Sequence, residues 1–129
     1  MTQHKNILLI QTSILGNNAL ELALQKHHCK VYKVFTLNTP DPEVVKMGFD
    51  CIIIDVLMPE ITGFEILEDV VGMKMPQTPV VMLSYVNHPE SHREAIKKGA
   101  ADFIHKPMDS DILANRLLKI INTYSLVGA

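Results

Sequence analysis

Three short runs of mostly apolar residues constrain the fold of this chain more than any other feature. They read NILLI (6–10), FDCIII (49–54) and PVVMLS (79–84), and each has the length of a buried β-strand. The segments between them carry apolar residues at helical spacing. Strands without polar alternation are typical of a parallel sheet covered by helices on both faces, so the chain belongs to the α/β class.

The remaining segments complete an alternation of strands and helices. Two further strands are predicted at 30–35 and 101–107, and helices at 14–28, 39–48, 63–73, 89–100 and 109–125. We therefore predict a doubly wound (βα)₅ fold, with the three most apolar strands in the centre of a five-stranded parallel sheet. The 129 residues suit a single domain over 1–129.

Composition excludes several classes of protein. Basic and acidic residues are interspersed and the net charge is −2, which argues against binding of nucleic acid. No apolar run is long enough to span a membrane. Cys29 and Cys51 lie outside any metal-binding or C-x-x-C pattern, so we expect reduced thiols and a cytoplasmic location.

Polar side chains stand at the ends of the predicted central strands. Asp55 follows the third strand, Ser84 ends the fourth, and Lys106 ends the fifth. Parallel strands present their carboxyl ends at one edge of a sheet, where ligands bind. A carboxylate, a hydroxyl and an ammonium at one edge suit an aspartyl-phosphate site. The alternative to a functional site is that Asp55 is an ordinary strand-end aspartate whose side chain makes a hydrogen bond within a turn.

The segments DVLMPEITGFEIL (55–67), VVMLS (80–84) and DFIHKP (102–107) resemble the three signatures of response regulator receiver domains. The resemblance implies the strand order 2-1-3-4-5 and a phosphorelay function. It implies that Asp55 accepts a phosphoryl group, that Ser84 and Lys106 contact it, and that Phe103 is the switch aromatic. It also implies a cis peptide bond between Lys106 and Pro107.

The chain departs from the family where a Mg²⁺ ion would bind. The family holds Mg²⁺ with an acidic pair after the first strand, the phosphoacceptor and a backbone carbonyl, here that of Leu57. Gln11 and Thr12 occupy the positions of the acidic pair, and they are poor ligands for Mg²⁺. We therefore expect weak or absent Mg²⁺ binding and an ion pair between Asp55 and Lys106. Tyr85 replaces the small residue that usually follows Ser84, and its ring is expected to narrow access to Asp55.

Three hypotheses about function stay open. In the first, the chain is an atypical receiver that acts as a protein-interaction module and is not an enzyme. In the second, Asp55 is a working phosphoacceptor with a repaired metal site, for which Glu60 and Asp109 are the nearest carboxylates in sequence. The third is a small flavodoxin-like enzyme or nucleotide binder, which is disfavoured because the chain has no glycine-rich phosphate-binding motif.

The resemblance also implies partners. They are a histidine kinase or phosphotransfer protein and an output domain, with a possible homodimer through the fourth helix, fifth strand and fifth helix. That face is expected to expose a set of charged residues, namely Arg93, Lys97, Lys98, Asp109 and Arg116. His88 and His92 stand four residues apart, but without a third ligand they indicate a solvated helix face rather than a metal site.

Overall fold

The computed structural model describes residues 4–12, 18–57, 63–86 and 88–127, with the side chains of 126 and 127 left out. Strands and helices alternate throughout these residues. The strands are β1 (Lys5–Gln11), β2 (Cys29–Phe35), β3 (Cys51–Val56), β4 (Val80–Ser84) and β5 (Asp102–His105). The helices are α1 (Ala19–Lys26), α2 (Pro42–Val45), α3 (Phe64–Met73), α4 (Pro89–Lys97) and α5 (Ser110–Val127).

The five strands form one parallel sheet in the order β2-β1-β3-β4-β5. The three most apolar strands are therefore central, as the sequence predicted. β3 and β4 consist almost wholly of buried residues, whereas β2 lies at an edge and alternates in exposure. The predicted α/β fold and strand order are confirmed.

Alternate side chains of each central strand enter two separate cores. Leu9, Ile53 and Leu83 pack with α1 and α5 on one face. Leu8, Ile52 and Met82 pack with α2, α3 and α4 on the other. Because successive side chains of a strand point to opposite faces, the face occupied by Ile53 is also the face of Asp55. That alternation directs the Asp55 side chain towards α1 and α5.

Local sequence signals set several element ends. The Asp109 carboxylate accepts hydrogen bonds from the backbone N–H groups of Asp111 and Ile112, at 3.0 and 3.1 Å, and so caps α5. The predicted helix 39–48 is wrong in length, because the helix covers only Pro42–Val45. The helix predicted over 89–100 ends at Lys97, shortly before Gly99 adopts a φ of +108°. The first turn of the predicted helix 14–28 lies outside the described residues.

Candidate functional site

The strand register places the predicted site residues at one edge of the sheet. Gln11 pairs with Asp55 in neighbouring strands, and Val56 pairs with Ser84 one strand further on. Ser84 in turn pairs with His105, whose successor is Lys106. Neighbouring strands are about 4.8 Å apart, so these residues span a short stretch of the edge. The backbone therefore gathers the carboxylate, the hydroxyl and the ammonium as the sequence predicted.

Asp55 and Lys106 form the ion pair expected from the sequence. The Lys106 Nζ donates hydrogen bonds of 3.1 and 3.0 Å to the Oδ1 and Oδ2 atoms of Asp55. The two side chains are only 14 and 15% exposed. Burial raises the pKa of the Asp55 carboxyl above its ordinary value, and the Lys106 ammonium opposes that rise without cancelling it. The lysine is thus the charge that compensates a carboxylate largely removed from water.

Tyr85 and an adjoining cleft border this ion pair. The Lys106 Nζ lies 4.8 Å from the centre of the Tyr85 ring, within cation–π distance, and the ring is 47% exposed. The cleft has a volume of about 60 Å³, enough for a few water molecules. It runs towards α1 and α5. Its lining consists of Asp55, Tyr85, Lys106, Pro107 and Ser110 with Leu9, Leu20, Met108 and Leu113. Of the apolar part of this lining, Met108 follows the Lys-Pro signature and was expected beside the site, whereas Leu9, Leu20 and Leu113 come from distant segments and were not predicted there.

Ser84 is fully buried and its hydroxyl bonds to backbone groups. Its Oγ donates a hydrogen bond of 3.4 Å to the Leu57 carbonyl and accepts one of 3.0 Å from the Val86 N–H. The first contact joins the ends of β3 and β4, and the second lies within the turn directly after β4. The Ser84 hydroxyl therefore engages the same carbonyl that the family resemblance assigned to a metal ion.

Of the remaining predicted positions, Phe103, Pro107 and Asp109 lie within the described residues. Phe103 is buried, and its ring packs edge-on against His92 with centroids 5.8 Å apart. The Lys106–Pro107 bond is cis, as predicted. Asp109 caps α5 as described above, and Glu60 lies outside the described residues, as do Met58 and Pro59 of the first signature. His105 is exposed and contacts the Tyr85 carbonyl through Nε2 at 3.0 Å.

A family model described as the response regulator receiver domain matches residues 7–118, which include β2 to β5, most of β1 and the first half of α5. The chain belongs to this family. The match covers well over half of the chain and includes Gln11, Asp55, Ser84 and Lys106. The assignment agrees with the strand order and with the gathering of those residues at one edge.

Curated relatives of this receiver domain are two-component response regulators. It is 31% identical to the two-component response regulator ORR3 of Oryza sativa subsp. indica, over 88% of this chain and 90% of that protein. It is 41% identical to ORR21 of the same subspecies over 54% of this chain, but that match covers only 10% of ORR21. The domain therefore resembles both a protein of about its own size and a small part of a much longer one.

Solved structures show the same fold at lower sequence identity. A CheY-like receiver domain protein from Methanospirillum hungatei superposes with a TM-score of 0.78 at 17% identity, covering 95% of this chain and 98% of that one. A response regulator from Thermotoga maritima gives a TM-score of 0.75 at 23% identity, covering 93% and 99%. Within the described part of the receiver domain, no helix is long and apolar enough to cross a membrane.

Receiver domains typically bind Mg²⁺ at their phosphorylation site, but the described donors at this edge are poor ligands for that ion. Gln11 and Thr12 are neutral, and the Thr12 hydroxyl donates a hydrogen bond of 3.3 Å to the Asp55 carbonyl. The Asp55 carboxylate is already paired with Lys106, and the Leu57 carbonyl accepts from Ser84. Among the described residues, no three His, Cys, Asp or Glu side chains are grouped to hold a metal.

The charged face of α4, β5 and α5 differs in one respect from the sequence prediction. Arg116 pairs with Asp102 through two hydrogen bonds of 2.9 and 3.0 Å, and joins α5 to β5 on that face. Lys98 instead forms ion pairs with Glu68 of α3 and Glu94 of α4. The expectation for Lys98 is therefore wrong, since its ammonium is turned towards α3.

Proposed function

We propose that this receiver domain serves two-component signalling as a protein-interaction module that does not depend on Mg²⁺-assisted phosphorylation of Asp55. The observation that carries the proposal is the ion pair between Asp55 and Lys106 beside two neutral residues, Gln11 and Thr12. Phosphoryl transfer needs its developing charge neutralised, and a divalent metal normally supplies much of that effect. Among the described residues, Lys106 is the one cation that forms an ion pair with this carboxylate.

The hydrogen bonds around the site support a fixed structure. The Thr12 N–H and hydroxyl both bond to the Asp55 carbonyl, at 3.2 and 3.3 Å, which ties the end of β1 to β3. The Ser84 hydroxyl ties β4 to the Leu57 carbonyl. Phe103 is 4% exposed and packs against His92. In this proposal these groups hold one conformation, instead of switching as the phosphoryl-contacting and aromatic switch residues of the family do.

The partners in this proposal are those of two-component pathways. We infer contact with a histidine kinase, a phosphotransfer protein or an output domain, and pairing of two copies through α4, β5 and α5. The exposed Arg93 and Lys97 and the ion pair of Arg116 with Asp102 give that face both signs of charge. Mixed charge favours defined orientation between partners more than raw affinity.

Titration with Mg²⁺ tests the proposal directly. Amide resonances of Thr12, Asp55 and Leu57 are followed by NMR while MgCl₂ is added to the purified domain. We expect small, non-saturating changes. In parallel, the domain is incubated with acetyl phosphate and Mg²⁺ and its mass is measured, with Asp55→Asn as the control. Saturable shifts, or near-complete phosphorylation that Asp55→Asn abolishes, contradict the proposal.

A second candidate function is that of a working phosphoacceptor, phosphorylated on Asp55 by a histidine kinase. The open cleft beside Asp55 favours it, because small groups can approach the carboxylate from the side of α1 and α5. In that case Lys106 stabilises the phosphoryl oxygens. The acetyl phosphate experiment separates the two candidates, since only the second yields a modified Asp55.

A further inference from the structure

One corner of the molecule, far from Asp55, concentrates positive and titratable side chains. It lies where β1 and β2 begin, at the amino-terminal edge of the sheet, and Lys5 pairs with Cys29 in the register there. We call it the basic corner, and it consists of His4, Lys5, Lys26, His27, His28 and Lys30. All but Lys5 are exposed, although the whole chain carries a net charge of −2.

The lysines of the basic corner lack acidic partners. In residues 4–12, 18–57, 63–86 and 88–127, no carboxylate lies within salt-bridge distance of Lys5, Lys26 or Lys30. Elsewhere in the same residues, the lysines at 33, 98 and 106 form ion pairs, whereas the exposed lysines at 46, 97 and 119 form none. What sets the corner apart is that its unpaired basic side chains are grouped where β1 and β2 begin. Unpaired like charges held together repel one another, so the corner presents a local positive potential to an approaching partner.

His28 adds a second, independent observation. It has a φ of +64°, a left-handed conformation that normally favours glycine after a helix. Its N–H bonds to the Gln25 carbonyl at 3.1 Å, and its own carbonyl contacts the His4 Nδ1 at 3.1 Å. Histidine is, with asparagine and aspartate, one of the residues other than glycine that adopt this conformation most often. An exposed imidazole therefore stands at a turn position where glycine would adopt the same backbone conformation at a lower free energy.

The basic corner continues into an open strand edge. β2 is the outermost strand, and β1 is its one neighbour in the described sheet. Tyr32 and Phe35 of β2 are 45 and 51% exposed. An exposed edge strand offers unpaired backbone groups to an extended peptide, and lysines along it repel another positively charged strand. The edge therefore selects a segment with carboxylates.

We propose that the basic corner and the edge of β2 together bind an extended acidic segment of a partner protein. Its backbone adds to β2, and its carboxylates meet Lys26 and Lys30. The small area and the negative net charge of the domain disfavour nucleic acid, which needs a broader positive surface. This surface is independent of Asp55 and adds a second contact region to the signalling module.

Binding of a short synthetic peptide of alternating glutamate and valine tests the proposal. The intact domain is labelled with ¹⁵N, and amide shifts are followed as peptide is added. We expect shifts concentrated in residues 29–35 and an affinity that falls with added salt. Lys26→Glu with Lys30→Glu should weaken binding about tenfold, since two attractive contacts become repulsive. The matched control is Lys46→Glu with Lys119→Glu, which changes the net charge equally at exposed positions.

Several outcomes overturn the proposal. One is the absence of shifts in β2, and another is equal weakening by the control pair. Equal binding of a glutamate–proline peptide, which cannot pair as a strand, shows that charge alone acts. If the glutamate–valine peptide does not bind, two further results identify another occupant and refute an acidic peptide. In the first, the domain binds phosphatidylserine vesicles, and Lys26→Glu with Lys30→Glu abolishes that binding. In the second, the domain associates with itself, and the same variant abolishes the association.

Discussion

The Lys106 ammonium lies 3.0 and 3.1 Å from the two carboxylate oxygens of Asp55, and the Tyr85 ring lies 4.8 Å from the same nitrogen. The carboxylate and the ring thus hold the ammonium between them in a site only about 15% exposed. Gln11 pairs with Asp55 across the sheet and contributes no charge. In the proposed function this ion pair is structural and lies where the family is phosphorylated.

Removing the lysine should destabilise the domain. Lys106→Met leaves the Asp55 carboxylate partly buried without its partner, and we expect the free energy of unfolding to fall by about 1–3 kcal/mol at neutral pH. Urea denaturation followed by circular dichroism measures the change. The control Lys97→Met removes an exposed lysine and should have little effect.

A double-mutant cycle checks that the loss comes from the pair. Asp55→Asn with Lys106→Met should cost less than the sum of the two single changes, because each single change leaves an unpaired partner. Additive costs contradict a direct interaction.

The Asp55 carboxyl should titrate above the usual range of aspartate. Burial raises its pKa more than Lys106 lowers it. Since the folded pKa exceeds the unfolded value of about 3.9, the folded chain binds more protons between the two values. The ionised carboxylate therefore lowers stability above the folded pKa, and this cost falls as the pH drops below that pKa and is gone below the unfolded value.

Carboxyl ¹³C NMR of the folded domain measures this pKa. We expect the Asp55 midpoint above about 3.9, and a further rise in Lys106→Met, where the opposing ammonium is gone. A midpoint at or below the unfolded value shows instead that the lysine outweighs burial.

Two glycines should respond oppositely to alanine. Gly99 has a φ of +108°, and an added Cβ would lie 2.8 Å from the Val71 Cγ1 of α3. We expect Gly99→Ala to lower the melting temperature, at a cost of at least about 1 kcal/mol. Gly72 lies in α3 with open space around an added Cβ, so Gly72→Ala should stabilise by about 0.5–1 kcal/mol. Thermal denaturation measures both variants, and equal changes in melting temperature for Gly99→Ala and Gly72→Ala contradict this prediction.

The sequence predicted the sheet and the edge on which the site lies. Buried strand-length runs identified the central strands, and parallel strands end at a common edge, so Asp55 and Lys106 had to approach one another. The ion pair followed from the loss of acids at Gln11 and Thr12. These inferences depend on the order of elements along the chain, which a sequence carries directly.

Side-chain partners that depend on close packing were not predictable. The Ser84 hydroxyl bonds to the Leu57 carbonyl because β3 runs past Asp55 to Val56 and brings that carbonyl near the end of β4. Lys98 turns to Glu68 because α4 ends close to α3, where Gly99 has no side chain to meet Val71. Both contacts depend on distances between elements, which spacing along the sequence does not specify.

Restoring the acidic pair should restore metal binding if the departure at Gln11 and Thr12 is the whole defect. Gln11→Asp with Thr12→Asp places two carboxylates beside Asp55 at the end of β1, and carboxylates are the ligands that Mg²⁺ prefers. We expect saturable amide shifts on addition of MgCl₂ and modification of Asp55 by acetyl phosphate. The control Gln77→Asp with Asn122→Asp adds the same charge at exposed positions away from the site and should bind no better than the native chain.

The two readouts also separate the metal from the aromatic ring. If Mg²⁺ binds to the Gln11→Asp, Thr12→Asp variant but Asp55 stays unmodified, access past Tyr85 is the remaining barrier, since its ring lines the cleft beside the carboxylate. Adding Tyr85→Ala should then allow modification. If Mg²⁺ does not bind to the Gln11→Asp, Thr12→Asp variant, the ion pair with Lys106 outcompetes the metal for Asp55. The neutral residues Gln11 and Thr12 are then not the cause of the weak Mg²⁺ binding of the native chain.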